Sequence, residues 1–306
     1  MSRPPQADRL LVLHSGALGD CVLALHFAAA VKAALGASRL TMAARSAIAH
    51  WAAKRELIDD AFFLDQLKAH RWYAATDHVE EPPLHRFDAI VSFLGGPNEP
   101  VTHRLAESCR CPVFTIDPRA AESGPSAKRH IVRQWAAQLD EAGIDVDIAD
   151  AGAFHKTTAP TSGVGEGEGL TVVHVGSGGT SKCCPLEPLE RIVVALRHSD
   201  RAAAWMIGPD EMERDGPALV ERLRLSAPVI FRESVEEAAD VVSSARAFIG
   251  NDAGMTHVAA LCGVKTIALF GPTDPHLWRP LGPHCRTVPF AEAASIADDW
   301  PTFVGD

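Results

Sequence analysis

The chain of 306 residues contains no Cys-x-x-Cys pair, and its seven cysteines, at positions 21, 109, 111, 183, 184, 262 and 285, are odd in number. That excludes a zinc ribbon and a disulfide framework, and fits reduced thiols in a cytoplasmic protein. Positive charge is not in excess either. Twenty-nine Lys and Arg stand against 39 Asp and Glu, a formal net charge of −10. A general nucleic-acid binder needs a basic face, so nucleic acid is not an expected partner. No uninterrupted apolar run approaches the about 18 residues of a membrane span. Arg3 and Arg9 precede an apolar stretch near the N-terminus, but His14, Asp20 and His26 interrupt it and no small-residue cleavage pattern follows. It therefore does not read as a signal peptide. No fixed-period repeat is visible, which excludes a solenoid.

What is present is ordinary for a globular chain: 47% hydrophobic and 22% charged residues, enough to bury a core. The length suggests two domains. The first 133 residues carry 16 basic and 14 acidic side chains, so the excess of negative charge lies beyond them.

Short apolar runs alternate with longer helical segments. Leu10–Leu13, Leu40–Ala43, Phe87–Phe93 and Pro112–Ile116 read as buried strands, and Cys21–Leu35 and Lys128–Ala142 as helices ending near Gly36 and Gly143. Thr157–Gly169 is rich in Thr, Gly and Pro and reads as a linker. The pattern then restarts, with strands at Leu170–Val175, Ala203–Ile207, Pro228–Phe231, Ala247–Ile249 and Thr266–Phe270. Helices are expected at Leu186–His198 and Gly254–Cys262, and a terminal one at Ala291–Trp300. This alternation is the signature of a doubly wound parallel sheet, here in two α/β halves. The expected organisation is a first domain over residues 1–156, a linker over 157–169 and a second domain over 170–306. The terminal helix is placed as one that packs back on the first domain.

Three segments carry chemistry. In His14–Asp20 (HSGALGD), Gly16 and Gly19 lie between a strand and a helix, where backbone N–H groups can approach a ligand and the helix start favours anions. The segment is neither a GxGxxG dinucleotide fingerprint nor a Walker A loop. A tight turn with Asp20 capping the helix fits the same residues. In Val175–Glu187, a strand feeds a glycine loop with Lys182 just before a helix that has Pro185 near its start. A lysine beside backbone donors suits a phosphate or pyrophosphate; a solvated lysine on a surface loop is the alternative. In Phe248–Pro275, a strand ends at Asn251–Asp252, and Gly254, Thr256 and His257 open a helix of small residues, again favouring an anion. Gly271–Asp274 forms a second turn beside it. Such turns at strand ends line the crevice where α/β ligands bind.

These three segments, in this order, resemble glycosyltransferase family 9, the bacterial heptosyltransferases of lipopolysaccharide assembly. His14–Asp20 matches the family's opening turn, Gly176–Pro185 part of its glycine–lysine loop, and Gly250–His257 with Ala268–Pro275 its last two turns. Phe87–Gly96 looks like a further family strand. The resemblance runs from Leu10 to about Pro283. It implies a GT-B fold, two Rossmann-like domains facing across a cleft, with the acceptor on the first domain and the nucleotide sugar on the second. It implies an inverting, metal-independent transfer with no cofactor beyond the nucleotide-sugar co-substrate, ADP-heptose in the family. Asp20 becomes the expected general base, with Gly16 and Gly19 on the acceptor-side turn. Lys182, Gly254, Thr256 and His257 are expected to hold the donor phosphates. Ser177, Thr180, Glu211 and Asp252 are expected to contact the nucleotide or sugar, with Glu213 as the other reading for the ribose contact.

The implied partners are a nucleotide sugar and an anionic glycan or lipid-linked acceptor, met in the cytoplasm or peripherally at the inner face of the inner membrane. Arg45, Lys54, Arg55, Lys68, Arg71, Arg86 and Arg104 are the basic candidates for such an acceptor. Two rivals share the fold: a transferase of another nucleotide sugar, and a catalytically weak nucleotide-sugar-binding assembly protein. The second rests on Cys184, which stands where the family has tryptophan. Asp145–Val146–Asp147 spells a DxD string, as metal-dependent transferases use, but lies after a helix rather than at a strand end.

Overall fold

The computed structural model describes residues 7–73, 83–124, 126–148, 154, 166–199, 201–298 and 300. The chain divides into two compact units, Met1–Ala149 and Asp150–Asp306. Most of the expected linker, residues 157–165, lies outside the described residues. At its end, the Gly167 N–H donates to Ser244 Oγ at 3.1 Å, within the second unit.

In the first unit, β1 (Arg9–His14), α1 (Leu18–Leu35), β2 (Arg39–Ala44), α2 (Ile48–Lys54) and β3 (Asp60–Phe63) come first. Then follow α3 (His70–Tyr73), β4 (Ala89–Ser92), α4 (Pro100–Glu107), β5 (Val113–Thr115) and α5 (Ile131–Glu141). The sheet order is β3-β2-β1-β4-β5, with every pair parallel. A parallel sheet covered on both faces needs strands that are apolar on both, and β1 is buried at every position after Arg9. On one face, Leu11, Leu13 and Ile90 pack with Trp72 and Leu105. On the other, Phe93 meets Trp135 edge-on at 4.9 Å between ring centres, and Phe27 meets the same indole at 5.9 Å.

Helix α1 is apolar along most of its length, although Asp20, His26 and Lys32 interrupt it. Its 18 residues have a mean hydropathy of 1.6, long and apolar enough by composition to cross a membrane. The reason is its place in the fold. It is the crossover between the parallel neighbours β1 and β2, and ten of its residues are buried. Asp20 and Lys32 sit in its first and last turns, matched to the helix dipole.

The second unit repeats the plan. It contains β6 (Thr171–His174), α6 (Leu186–His198), β7 (Ala203–Ile207), α7 (Pro209–Arg224), β8 (Val229–Phe231) and α8 (Val235–Ser244). Then come β9 (Ala247–Asn251), α9 (Gly254–Leu261), β10 (Lys265–Phe270), α10 (Pro275–Trp278) and β11 (Cys285–Pro289). The order is β11-β10-β9-β6-β7-β8, all parallel. Its core gathers Val173, Leu189, Trp205, Ile249 and Leu269. Truncating a buried tryptophan such as Trp205 costs about 3–5 kcal/mol in such a setting. The terminal segment opens as a 3-10 turn over Phe290–Ser295 and is α-helical at residues 296–298 and 300. Ala293, Ile296 and Trp300 join this second core.

Both sheets reverse their winding once, between β1 and β4 in the first and between β6 and β9 in the second. At such a switch point the loops leaving the two strands diverge, and a crevice opens beyond their carboxyl ends.

Candidate functional site

At the first switch point, the turn after β1 carries Ser15, Gly16 and Ala17 into α1. The cap position is Ala17, which supplies no side-chain bond. Asp20 is therefore not the cap that the sequence suggested. It is the third helical residue, and its side chain folds back over the turn. A Cβ on Gly16 would sit 3.2 Å from Asp20 Oδ2 and 2.8 Å from His14 Cε1. Only glycine leaves both side chains where they are. Asp20 and Gly19 are half-buried and Gly16 is exposed, so the carboxylate lies at the surface of the turn. Beneath it, burial and then the Asp20 charge push the Cys21 thiol far up. His14 is buried against Phe93, 5.3 Å between ring centres, and burial lowers its pKa to about 4.

The second switch point is more tightly built. Asn251, wholly buried at the end of β9, donates from Nδ2 to the carbonyls of Val175 and Gly176 at 2.9 and 3.1 Å. Its Oδ1 accepts from the Cys184 N–H at 2.9 Å. One amide thus pins both ends of the loop between β6 and α6. Ser177 Oγ donates to the Asp252 carbonyl at 2.8 Å. Lys182 Nζ, in a 3-10 turn over Thr180–Lys182, lies 2.9 Å from Asp252 Oδ2. The Asp252 side chain is 7% exposed and that of Lys182 43%, so the pair has one buried and one accessible end. Thr180 is exposed at the start of that turn.

Gly254 begins α9. Thr256 and His257 follow in its first turns, both buried. The Thr256 hydroxyl donates to the Asn251 carbonyl at 2.6 Å, so its visible task is to hold the strand end to the helix. The open N–H groups of α9 remain as an anion-favouring feature.

Glu211 is buried at the third position of α7, where Oε2 accepts from the Gly208 N–H at 2.7 Å. Its other oxygen lies under the loop. A Cβ on Gly176 would sit 1.7 Å from Oε1, so glycine is required there. His174, at the end of β6, has Nε2 3.9 Å from Glu211 Oε2, and burial lowers its pKa despite that carboxylate. Glu213 is exposed on the same helix.

The second unit thus brings together Ser177, Lys182, Asp252, Gly254, Thr256 and His257 of the expected set, with Glu211 beneath Gly176. Asn251 and His174 were not singled out by sequence reasoning. Asn251 stands inside the glycine-bearing motif, which was the only signal for it. Cys184 is 5% exposed, joins the second core, and has its thiol pKa raised to about 11 by burial and then by Cys183. It is a packing residue here.

The basic candidates separate. Arg86 lies over the rings of Phe62 and Phe87, at 4.7 and 5.0 Å. Arg55 lies over Trp51 at 5.3 Å, and Arg104 donates to the Trp72 carbonyl at 3.1 Å. These three serve their own domain. Arg45 and Lys54 are exposed. Asp145 and Asp147 lie in coil after α5. Among the described residues, no three His, Cys, Asp or Glu side chains group as a metal site.

The model of glycosyltransferase family 9 (heptosyltransferase) matches residues 125–297, more than half of the chain. The chain belongs to glycosyltransferase family 9. It is similar to lipooligosaccharide heptosyltransferase 2 of Haemophilus influenzae, 32% identical over 80 residues, which are 26% of this chain and 23% of that protein. The aligned part thus spans about a quarter of that relative's length. Among solved structures, it is similar to a family 9 glycosyltransferase of Veillonella parvula, with a TM-score of 0.68, 17% identity, and coverage of 97% of this chain and 90% of that one. It is equally similar to E. coli heptosyltransferase WaaC with ADP, with a TM-score of 0.68, 17% identity, and coverage of 97% and 98%. At such identities the likeness is one of fold: two parallel-sheet α/β domains of the GT-B class. The family 9 match includes the whole second switch point, from His174 to His257.

Proposed function

We propose that this family 9 chain is an inverting, metal-independent glycosyltransferase that moves a heptose from ADP-heptose to a lipopolysaccharide inner-core or related glycan acceptor. The acceptor engages the first domain and the donor the second. The reaction takes place in the cytoplasm, with peripheral contact at the inner face of the inner membrane where the acceptor is lipid-linked.

The observation that carries the reading is the Lys182 ammonium held at the second switch point, on a loop already pinned by Asn251, beside the start of α9. A leaving diphosphate gains negative charge as the glycosidic bond breaks. A fixed cation and aligned N–H groups stabilise that charge more than they stabilise the ground state. The ADP-bound relative of the same fold supports an adenine nucleotide. Asp20 takes the proton from the acceptor hydroxyl. The hydroxyl oxygen forms its bond to the anomeric carbon as the bond to the diphosphate oxygen breaks, and the electron pair leaves with the diphosphate. Attack from the face opposite the leaving group inverts the centre, by the same geometric logic as in inverting glycosidases.

Calorimetric titration of ADP, UDP, GDP and CMP without added metal, into wild type and Lys182→Ala, tests this. ADP is expected to bind selectively, and at least tenfold more weakly in the variant. Selectivity for UDP or GDP would keep the transferase and change its sugar nucleotide. Absence of binding to all four would leave a degenerate assembly protein.

A further inference from the structure

Tyr73 is the single tyrosine of the chain and the last residue of α3. Its hydroxyl donates to the Leu94 carbonyl at 2.6 Å, and the nearby Ser15 hydroxyl acts on it to lower its pKa. Ser15 follows β1 and Leu94 follows β4, the two strands between which the first sheet reverses. The phenol tip therefore sits on the first switch point, one residue from Gly16, over which the Asp20 carboxylate folds. Yet the side chain is 53% exposed, while its neighbour Trp72 is 1% exposed. A tyrosine placed only to fill the core would be buried like that indole. This one is anchored at its tip and bare along its ring.

Glu99 completes the setting. Its charge acts on the Tyr73 hydroxyl, adding to burial in raising that pKa. Its Oε1 accepts from the Gly96 N–H at 3.1 Å, and the side chain is 48% exposed. Arg119 approaches the same oxygen at 3.6 Å and pairs with Asp117 at 2.8 Å.

We propose that Tyr73 is a specificity-determining residue for the acceptor: its exposed ring stacks on the C–H face of a neutral pyranose, and Glu99 accepts hydrogen bonds from that sugar's hydroxyls. This rests on the reading of the chain as a glycan transferase with its acceptor on the first domain. The chemistry follows from the parts. An aromatic face is electron-rich and attracts the positive C–H edges of a sugar ring. Tyrosine offers a large rigid surface at low entropy cost, lower still when its hydroxyl is already tied down. The Glu99 carboxylate welcomes hydroxyls, and Glu99 and Asp117 together outweigh the one Arg119 charge beside them, so phosphate or carboxylate is disfavoured, the stacked ring is uncharged and the acceptor's anionic groups lie elsewhere.

Because the chain has one tyrosine, protein labelled with ring-13C tyrosine gives a single ring signal. The experiment titrates ADP-saturated protein with two deacylated core saccharides, one ending in a neutral heptose and one ending in an acidic Kdo. The heptose-ended saccharide is expected to shift the Tyr73 signal and to receive saturation from it. Tyr73→Leu is expected to raise the acceptor KM at least tenfold, with ADP affinity unchanged. Tyr73→Phe, which keeps the ring, should recover most of the acceptor KM. A silent tyrosine signal with both saccharides overturns the proposal, as does a response to the Kdo-ended one alone or an unchanged acceptor KM in an active Tyr73→Leu protein. Loss of ADP binding in the unmutated protein would overturn the transferase reading itself, and is told apart by the calorimetry.

Discussion

Lys182 Nζ and Asp252 Oδ2 lie 2.9 Å apart although 70 residues separate them in the chain. They leave neighbouring strand ends, β6 and β9, so the ion pair closes the second switch point. A diphosphate that binds there must share the lysine with a buried carboxylate that repels it. Lys182→Ala and Asp252→Asn should therefore move ADP affinity in opposite directions: weaker in the first, equal or tighter in the second. Weakening in both, read by calorimetry at one salt concentration, would mean that the pair only shapes the loop.

Asp20 is the proposed base. Asp20→Asn keeps the size of the side chain over Gly16 and removes its basicity. Turnover is expected to fall by about 10²–10⁴-fold, the usual worth of general acid–base catalysis, with the ADP dissociation constant unchanged. Single-turnover transfer assays would measure the first and calorimetry the second. Turnover within threefold of wild type would remove Asp20 from the role.

Asn251 is a structural keystone of the donor loop. Asn251→Ala removes three hydrogen bonds at a wholly buried position and leaves the Cys184 N–H and two carbonyls without that partner. The expected loss of stability is about 2–4 kcal/mol, summed from typical buried hydrogen bonds. Urea unfolding followed by tryptophan fluorescence would register it as a lower midpoint with an unchanged slope.

Acid stability should depend on His14. Burial lowers its pKa from 6.5 to about 4, so between those values the unfolded chain binds the proton more readily than the folded one. Stability contributed by the neutral ring is complete above pH 6.5 and is lost as pH falls toward 4, on the order of 3 kcal/mol in all. His174, also lowered by burial, adds a slope of the same sign. His14→Phe should flatten part of the decline between pH 6.5 and 4, measured by denaturant unfolding at several pH values. An unchanged slope would mean that His14 has the same pKa in both states.

The central strands were legible in the sequence because they are buried on both faces and read as unbroken apolar runs: LLVL in β1, AAWMI in β7, TIALF in β10. Of the four edge strands, β5 and β8 were read but β3 (DAFF) and β11 (CRTVP) were not. Half-exposed edges tolerate charge and proline, and both have burial patterns that mix exposed and partly buried positions. Helix α4 was also hidden, since Gly95–Gly96–Pro97 before it reads as a turn and Pro100 opens it. The glycine turns of the site were visible because glycine itself is the signal. What Asn251 does with them was not, because its partners lie 67 to 76 residues away. Tyr73 gave no pattern at all: a lone aromatic in sequence does not say that its tip is tied and its ring is bare.

The amide of Asn251 also bears on how quickly a ligand can be captured. A glycine loop left to wander would have to find its bound shape after each encounter, and capture would then level off at a limiting rate set by that search. Here the loop's two ends are fastened to the end of β9 before anything arrives. Mixing with a nucleotide should accordingly give a rate that climbs in proportion to nucleotide concentration, and residence time, not arrival, should be what distinguishes one nucleotide from another.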